Sequence, residues 1–173
     1  MKTIFLSGLV LLVTLTSLAG TPKRSTFAIY LIAGSVDARL FVREPERWKG
    51  LPLESDPIIS DADIIAYDFS KHAMRVRPEA LRRLPRPSVA GVPFVLVVNG
   101  ERIYPGAFYT MSSSIPCDVP VIVVDRVEQN HTARADVLLI ENAYPQTSDL
   151  KKDLRSDVRV KDALASLKKL ASL

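Results

Sequence analysis

The side chains in this sequence with the means to do covalent chemistry are few. Cys117, the lone thiol, follows the hydroxyl run Ser112, Ser113 and Ser114, and two imidazoles stand apart at His72 and His131. A thiol nucleophile has to ionise near neutral pH, which takes a neighbouring cation or a helix N-terminus. Pro116 and Asp118 flank Cys117 and neither lowers a thiol pKa, so the expected role is a buried or half-buried structural thiol. The serine run lacks the flanking glycines of a nucleophile elbow. Neither histidine has a carboxylate or cysteine beside it at metal-ligand spacing, and His131 falls in the polar triplet Asn130-His131-Thr132 of a loop. With 7 glycines, no phosphate-cradling loop is available. The expectation is therefore no catalytic residue, no metal and no cofactor. The competing reading is a small extracytoplasmic hydrolase or thiol enzyme built on Cys117 and the serines.

Charge supplies a second candidate. The chain carries 23 Lys and Arg against 19 Asp and Glu, a mild excess, but the distribution is uneven. Glu54, Asp56, Asp61, Asp63 and Asp68 form an acidic block without a base. Lys71, Arg75, Arg77, Arg82, Arg83 and Arg86 then follow against Glu79 alone. Opposed blocks of this kind usually flank each other on a solvated face. The alternative is a basic patch of Arg82, Arg83 and Arg86 for an anionic membrane surface or an acidic partner. Nucleic acid is not expected, because the basic residues lack interleaved aromatics.

These candidates need elements to position them, and the chain's start bears on where those elements work. Lys2, the apolar run Ile4 to Leu15 and the small residues of Ser17-Leu18-Ala19 have the layout of an export signal over residues 1–19, cleaved near Ala19. The apolar stretch to Leu18 is shorter than the roughly 20 residues that span a bilayer. A single cysteine forms no internal disulfide, and an unstapled exported domain points to a bacterial periplasm or exterior. Residues 20–26 read as a flexible lead-in, and 27–173 as one domain.

Within that domain Phe27 to Ala33 reads as a buried strand, and Leu40-Phe41-Val42 as a second. Pro45, Gly50, Pro52 and Pro57 break longer elements and make Trp48 the anchor of a wrapped loop. Asp61 and Asp63 suit a short helical turn. A hairpin follows through Ser70, Lys71 and His72, with Asp68 opposite Ala73, Tyr67 opposite Met74 and Ile65 opposite Val76. Pro78 and Glu79 open a short helix to Leu84. Phe94 to Val98, Asn99-Gly100 and Glu101 to Tyr109 spell a tight hairpin in which Pro105 demands a bulge or an edge. Strands are expected over 119–124 and 136–140. A final helix, capped by Ser156, would bury Val160, Ala163, Leu164, Leu167 and Leu170. The fold class is thus α+β: a mainly antiparallel sheet with hairpins, a short helix near 79–84 and a C-terminal helix packed on one face.

If the strand carrying Pro105 lies at an edge, then Tyr104, Phe108, Tyr109 and the serines Ser112, Ser113 and Ser114 form a surface able to receive an extended peptide. The alternative is that Phe108 and Tyr104 pack in the core.

The stretch from Pro57 to Thr110 resembles a known subdomain. Ile58 to Ile64 lead into a strand, Val76-Arg77-Pro78-Glu79-Ala80 steps into a short helix, and Phe94 to Val98 closes on Asn99-Gly100. In these features, over about a third of the chain, it is similar to the periplasmic head subdomain of SecD, an accessory subunit of the Sec translocon. The chain also looks like a group of small exported bacterial proteins of unknown function that share this core. The matching segments are Ile64 to Asp68, Gly91 to Phe94, Gly106 to Phe108, Pro120 to Ile122 and Ile140 to Pro145. The resemblance implies a standalone extracytoplasmic domain without an assigned reaction, and translocon motor activity is not carried over. The expected function is an exported non-catalytic binding or accessory domain, with an extended peptide or an envelope protein as partner.

Overall fold

Asn99 and Gly100 have φ of 53° and 84°, the left-handed backbone that a two-residue hairpin turn requires and that Asn and Gly accept at least cost. They join β5 (Val92–Val98) to β6 (Glu101–Tyr109), the centre of the sheet. The computed structural model describes residues 26–126, 136–146 and 153–173. The export signal expected at 1–19, nearly all of the lead-in and His131 lie outside the described residues.

Around that hairpin the other strands are β1 (Phe27–Leu31), β2 (Ile59–Ser60), β3 (Ile64–Asp68), β4 (Ala73–Val76), β7 (Val121–Val123) and β8 (Val137–Glu141). They form one eight-stranded sheet in the order β2-β1-β5-β6-β7-β8-β4-β3. Every pairing is antiparallel except β6 with β7. Among the described residues, the helices that pack on this sheet in a single α+β domain are α1 (Leu40–Arg43), α2 (Pro78–Arg83) and α3 (Val158–Ser166).

Side chains alternate across the pleat, and both faces are covered. Phe94, Leu96, Tyr104 and Phe108 join Phe27, Tyr67, Met74 and Ile140 in one apolar cluster, roofed by Ala80 of α2 and by Val160, Ala163 and Leu164 of α3. Val95, Ala107, Tyr109, Val121 and Val123 face the other way, under Leu40, Phe41, Trp48 and Cys117. Double-sided burial explains the unbroken apolar run at 94–98, where a half-exposed strand would alternate with polar residues. Arg102 fixes the Trp48 loop by donating to the carbonyls of Trp48 and Leu51, at 2.5 and 2.6 Å.

Several sequence expectations need correction. Leu40-Phe41-Val42 is helical, not a strand. Leu40 and Phe41 are both buried while Val42 points out, a pattern that a helix satisfies and an alternating strand does not. Residues 61–63 make a tight turn rather than helix, with the Asp63 carboxylate accepting from the Ser60 amide and hydroxyl, both at 2.8 Å. In the β3–β4 hairpin, Asp68 and Tyr67 pair as expected, but a bulge puts Ile64 opposite Val76 and turns Ile65 outward, 40% exposed. Asp157, not Ser156, caps α3 by accepting from the Arg159 amide at 2.9 Å. α3 stops at Ser166, so Leu167 and Leu170 reach the core from beyond its end.

Candidate functional site

β6 is an interior strand, and this decides the aromatic surface expected from the sequence. β5 pairs along one side and β7 along the other from Ala107 onward. β6 does not bulge at Pro105, which pairs in register with Val95; its one register shift against β5 is at Ile103, between the Val97–Arg102 and Leu96–Tyr104 pairs. With both faces of the sheet also covered, Tyr104, Phe108 and Tyr109 are 1%, 0% and 0% exposed and form no contact surface. They are core residues. Ser113 is also buried, its hydroxyl donating to the Val89 carbonyl at 2.5 Å.

What remains on the outside at that end of the sheet is a smaller patch. Ser112 and Ser114 are exposed, together with Met111 (43%) and Val89 (50%). The Asp125 carboxylate holds its backbone, accepting from the Met111 amide at 3.0 Å and from the Thr110 hydroxyl at 2.7 Å.

Cys117 lies in the second cluster, where its amide and carbonyl pair with those of Tyr144 at 2.6 and 2.8 Å. Burial pushes the thiol pKa up, against the smaller pull of the Val119 amide. It is a protonated, packed thiol. The imidazole of His72 sits at the rim of the other cluster, edge-on to Phe69 at 5.6 Å between centroids.

Of the expected basic patch, Arg83 pairs with Asp63 at 2.8 Å and Arg82 with Glu79 at 3.2 Å, while Arg86 is exposed beyond the helix. The acidic and basic blocks do meet through the Asp63–Arg83 pair.

Two arrangements had no sequence signal. The first is a polar cluster at the 3-10 turn Leu154–Ser156, where His72 Nε2 is 3.5 Å from Asp153 Oδ2. Arg155 donates to both oxygens of Asp153 at 2.8 and 2.7 Å and to the Ile140 carbonyl at 2.7 Å. Burial lowers the His72 pKa, and nearby Arg155 adds to this against Asp153 and Asp68. The imidazole is therefore neutral near pH 7. A His–Asp pair of this kind can orient a base. Its thiol counterpart, Cys117, belongs to the opposite face.

The second arrangement is at the β3 edge. Beyond α3 the chain turns through Lys168, at φ 56°, and lies parallel to β3. The Tyr67 amide donates to the Lys169 carbonyl at 2.7 Å, and the Ala171 amide donates to the Tyr67 carbonyl at 3.0 Å. Asp68 accepts from the Leu173 amide at 3.0 Å, and the Lys71 ammonium donates to the Leu173 carbonyl. Lys169 Nζ donates to the Ile64 carbonyl at 2.6 Å. Leu170 packs on the first cluster.

Among the described residues, no group of three or more His, Cys, Asp or Glu side chains is arranged to hold a metal ion. No helix among them is long and apolar enough to cross a membrane. Comparison with protein-family models, with curated proteins and with solved structures finds no match to this chain.

Proposed function

We propose that the chain is an exported, non-catalytic binding or accessory domain that contacts an extended polypeptide or an envelope protein. The observation that carries this reading is the patch of Met111, Val89, Ser112 and Ser114. Apolar side chains stand exposed beside hydroxyls, on a backbone already fixed by Asp125 and Ser113. A prefixed surface loses little entropy on docking. The resemblance of residues 57–110 to the SecD head subdomain supports the same class of role, and the signal-like segment supports a periplasmic or extracellular setting.

The test is affinity capture from extracytoplasmic extract with the native chain and with the double variant Val89→Glu, Met111→Glu. A partner retained by the native chain and lost by the variant is the expected result. Equal capture by both would overturn the assignment of this patch. The N-terminal residue of the exported protein, expected just after Ala19, checks the compartment.

Two other readings have their own tests. A thiol enzyme requires Cys117 to react with a thiol probe faster in the folded chain than in the denatured one, whereas its burial predicts the reverse. Attachment to a membrane through Arg82, Arg83 and Arg86 requires salt-sensitive sedimentation with anionic vesicles.

A further inference from the structure

We propose that the β3 edge is a rail for an extended polypeptide running parallel to β3, and that residues 169–173 are its resident competitor. The inference rests on the reading of this chain as a polypeptide-binding domain and assigns that role a second, separate surface.

A strand edge presents unpaired backbone groups, and another extended chain is what satisfies them. At β3 the tail does this almost entirely through backbone. The groups held are the Lys169 carbonyl, the Ala171 amide, and the Leu173 amide and carbonyl. On the receiving side stand the amide and carbonyl of Tyr67, the carboxylate of Asp68 and the ammonium of Lys71. Asp68 is committed to this geometry, because it also accepts from the Ser70 hydroxyl at 2.6 Å and the Ser70 and Lys71 amides at 3.0 and 3.2 Å. Recognition of this kind reads main chain and is tolerant of sequence.

The side-chain requirements are correspondingly short. Leu170 is the residue that packs on the apolar cluster, and Lys169 reaches the Ile64 carbonyl. Ala171 and Ser172 are exposed. The occupant that fits is therefore an extended polypeptide with one aliphatic anchor at the place of Leu170, preceded by a basic residue.

The resident tail is built to yield. Its entry turn puts a lysine, Lys168, in the left-handed conformation that glycine normally supplies at a helix end. Its ladder amounts to an isolated bridge at Tyr67. Its other bonds run through the side chains of Asp68, Lys71 and Lys169, and Leu170 is its apolar anchor, so the segment opens by local release rather than by unfolding of the sheet. An incoming peptide must overcome the high effective concentration of a tethered segment, which makes the tail an autoinhibitory contact.

The test uses the full chain and a fluorescent peptide, acetyl-Lys-Lys-Leu-Ala-Ser-Leu, copied from residues 168–173. In the variant carrying Leu170→Ser and Ala171→Pro, the tail loses its anchor and the donor to Tyr67. That variant is expected to bind the peptide at least tenfold more tightly than the native chain, and a peptide with proline at the alanine position is expected not to bind. Equal affinity for both chains, or no binding to either, overturns the rail. Hydrogen exchange on the native chain gives a check that needs no variant. The Tyr67 amide should exchange at least tenfold faster than the Leu96 amide in the sheet interior, by an opening insensitive to low denaturant. Exchange of Tyr67 only through global unfolding would overturn the proposal. Failure here with successful capture through Met111 and Val89 would remove the rail and leave the binding reading standing.

Discussion

At the β2 edge of the sheet, the Ser60 amide and hydroxyl both go to Asp63, three residues along, and Arg83 locks that carboxylate at 2.8 Å. At the β3 edge the closing group is a segment bonded to Asp68 from 105 positions away. Both edges are protected, yet by groups with different freedom. Asp63 cannot leave without dismantling its own turn, whereas residues 169–173 can leave β3 with the other strand pairings intact. A locally closed edge is a finished surface, and a remotely closed one retains a strand's capacity to pair.

The contrast can be tested from its largest effect downward. Ile59 is fully buried in β2, and Ile59→Ala should lower unfolding free energy by about 2–5 kcal/mol in urea titrations. A smaller loss would mean that β2 is not integrated with the core. Asp63→Ala frees the Ser60 amide and hydroxyl and strands Arg83, for an expected global loss of about 1–3 kcal/mol. If its effect were confined to local exchange at Ser60, the two edges would be alike.

Acid should separate them further. Hydrogen bonds from the Ser70 hydroxyl first, and then from the Leu173 amide, hold the Asp68 pKa below the usual carboxylate range. A depressed carboxylate stabilises the state that binds it above the ordinary pKa and loses that contribution as pH falls. Only the Leu173 share of that shift is linked to docking, because the Ser70 and Lys71 bonds to Asp68 remain when the segment leaves. The segment should thus stay docked at neutral pH and loosen only in acid below the ordinary carboxylate range, read as faster intrinsic-rate-corrected exchange at Tyr67. His72 acts earlier in the descent. Because burial lowers its pKa, the unfolded chain takes up a proton that the folded chain refuses, and global stability should begin to decline below about pH 6.5. His72→Gln should flatten that limb.

The smallest effects concern fine balance. Lys168→Gly relieves the left-handed lysine and should tighten the tail by about 0.5–1 kcal/mol, slowing Tyr67 exchange with little change in global unfolding. Tyr67→Phe removes a buried hydroxyl that has no partner among the described residues. Its expected cost is within about 1 kcal/mol of zero, or negative.

The parts of the fold legible in the sequence are those specified over short distances. Phe94 to Tyr109 announces its own hairpin through strand alternation and Asn99-Gly100, and Pro78-Glu79 announces α2. The register of Asp68 with Ala73 and Tyr67 with Met74 follows from a short turn and a two-faced pattern. Ile64 and Ile65 show where the pattern fails. Adjacent isoleucines offer two inward choices, and only packing opposite Val76 selects Ile64. Leu40 to Val42 is too short a run for periodicity to distinguish helix from strand. Interior and edge strands also look alike in sequence, so the interior place of Phe108 and Tyr109 depended on β7, which arrives after a long loop and pairs parallel, and the burial of Tyr104 on the cluster roofed by α3. The approach of Asp153 to His72, and of the tail to β3, joins segments remote in sequence and carries no local mark at all.

The strand order also has a temporal meaning. The β3–β4 hairpin is joined to the rest of the sheet through β8, which pairs with β4 on one side and β7 on the other. In a chain synthesised from its N-terminus, that hairpin exists long before β8 does. Until residues 137–141 emerge, β1, β2, β5 and β6 can already zip together while Tyr67 and Met74 await cover. A nascent chain arrested before that point would consist of a folded half trailing a loose ribbon, and a protease would find the ribbon first.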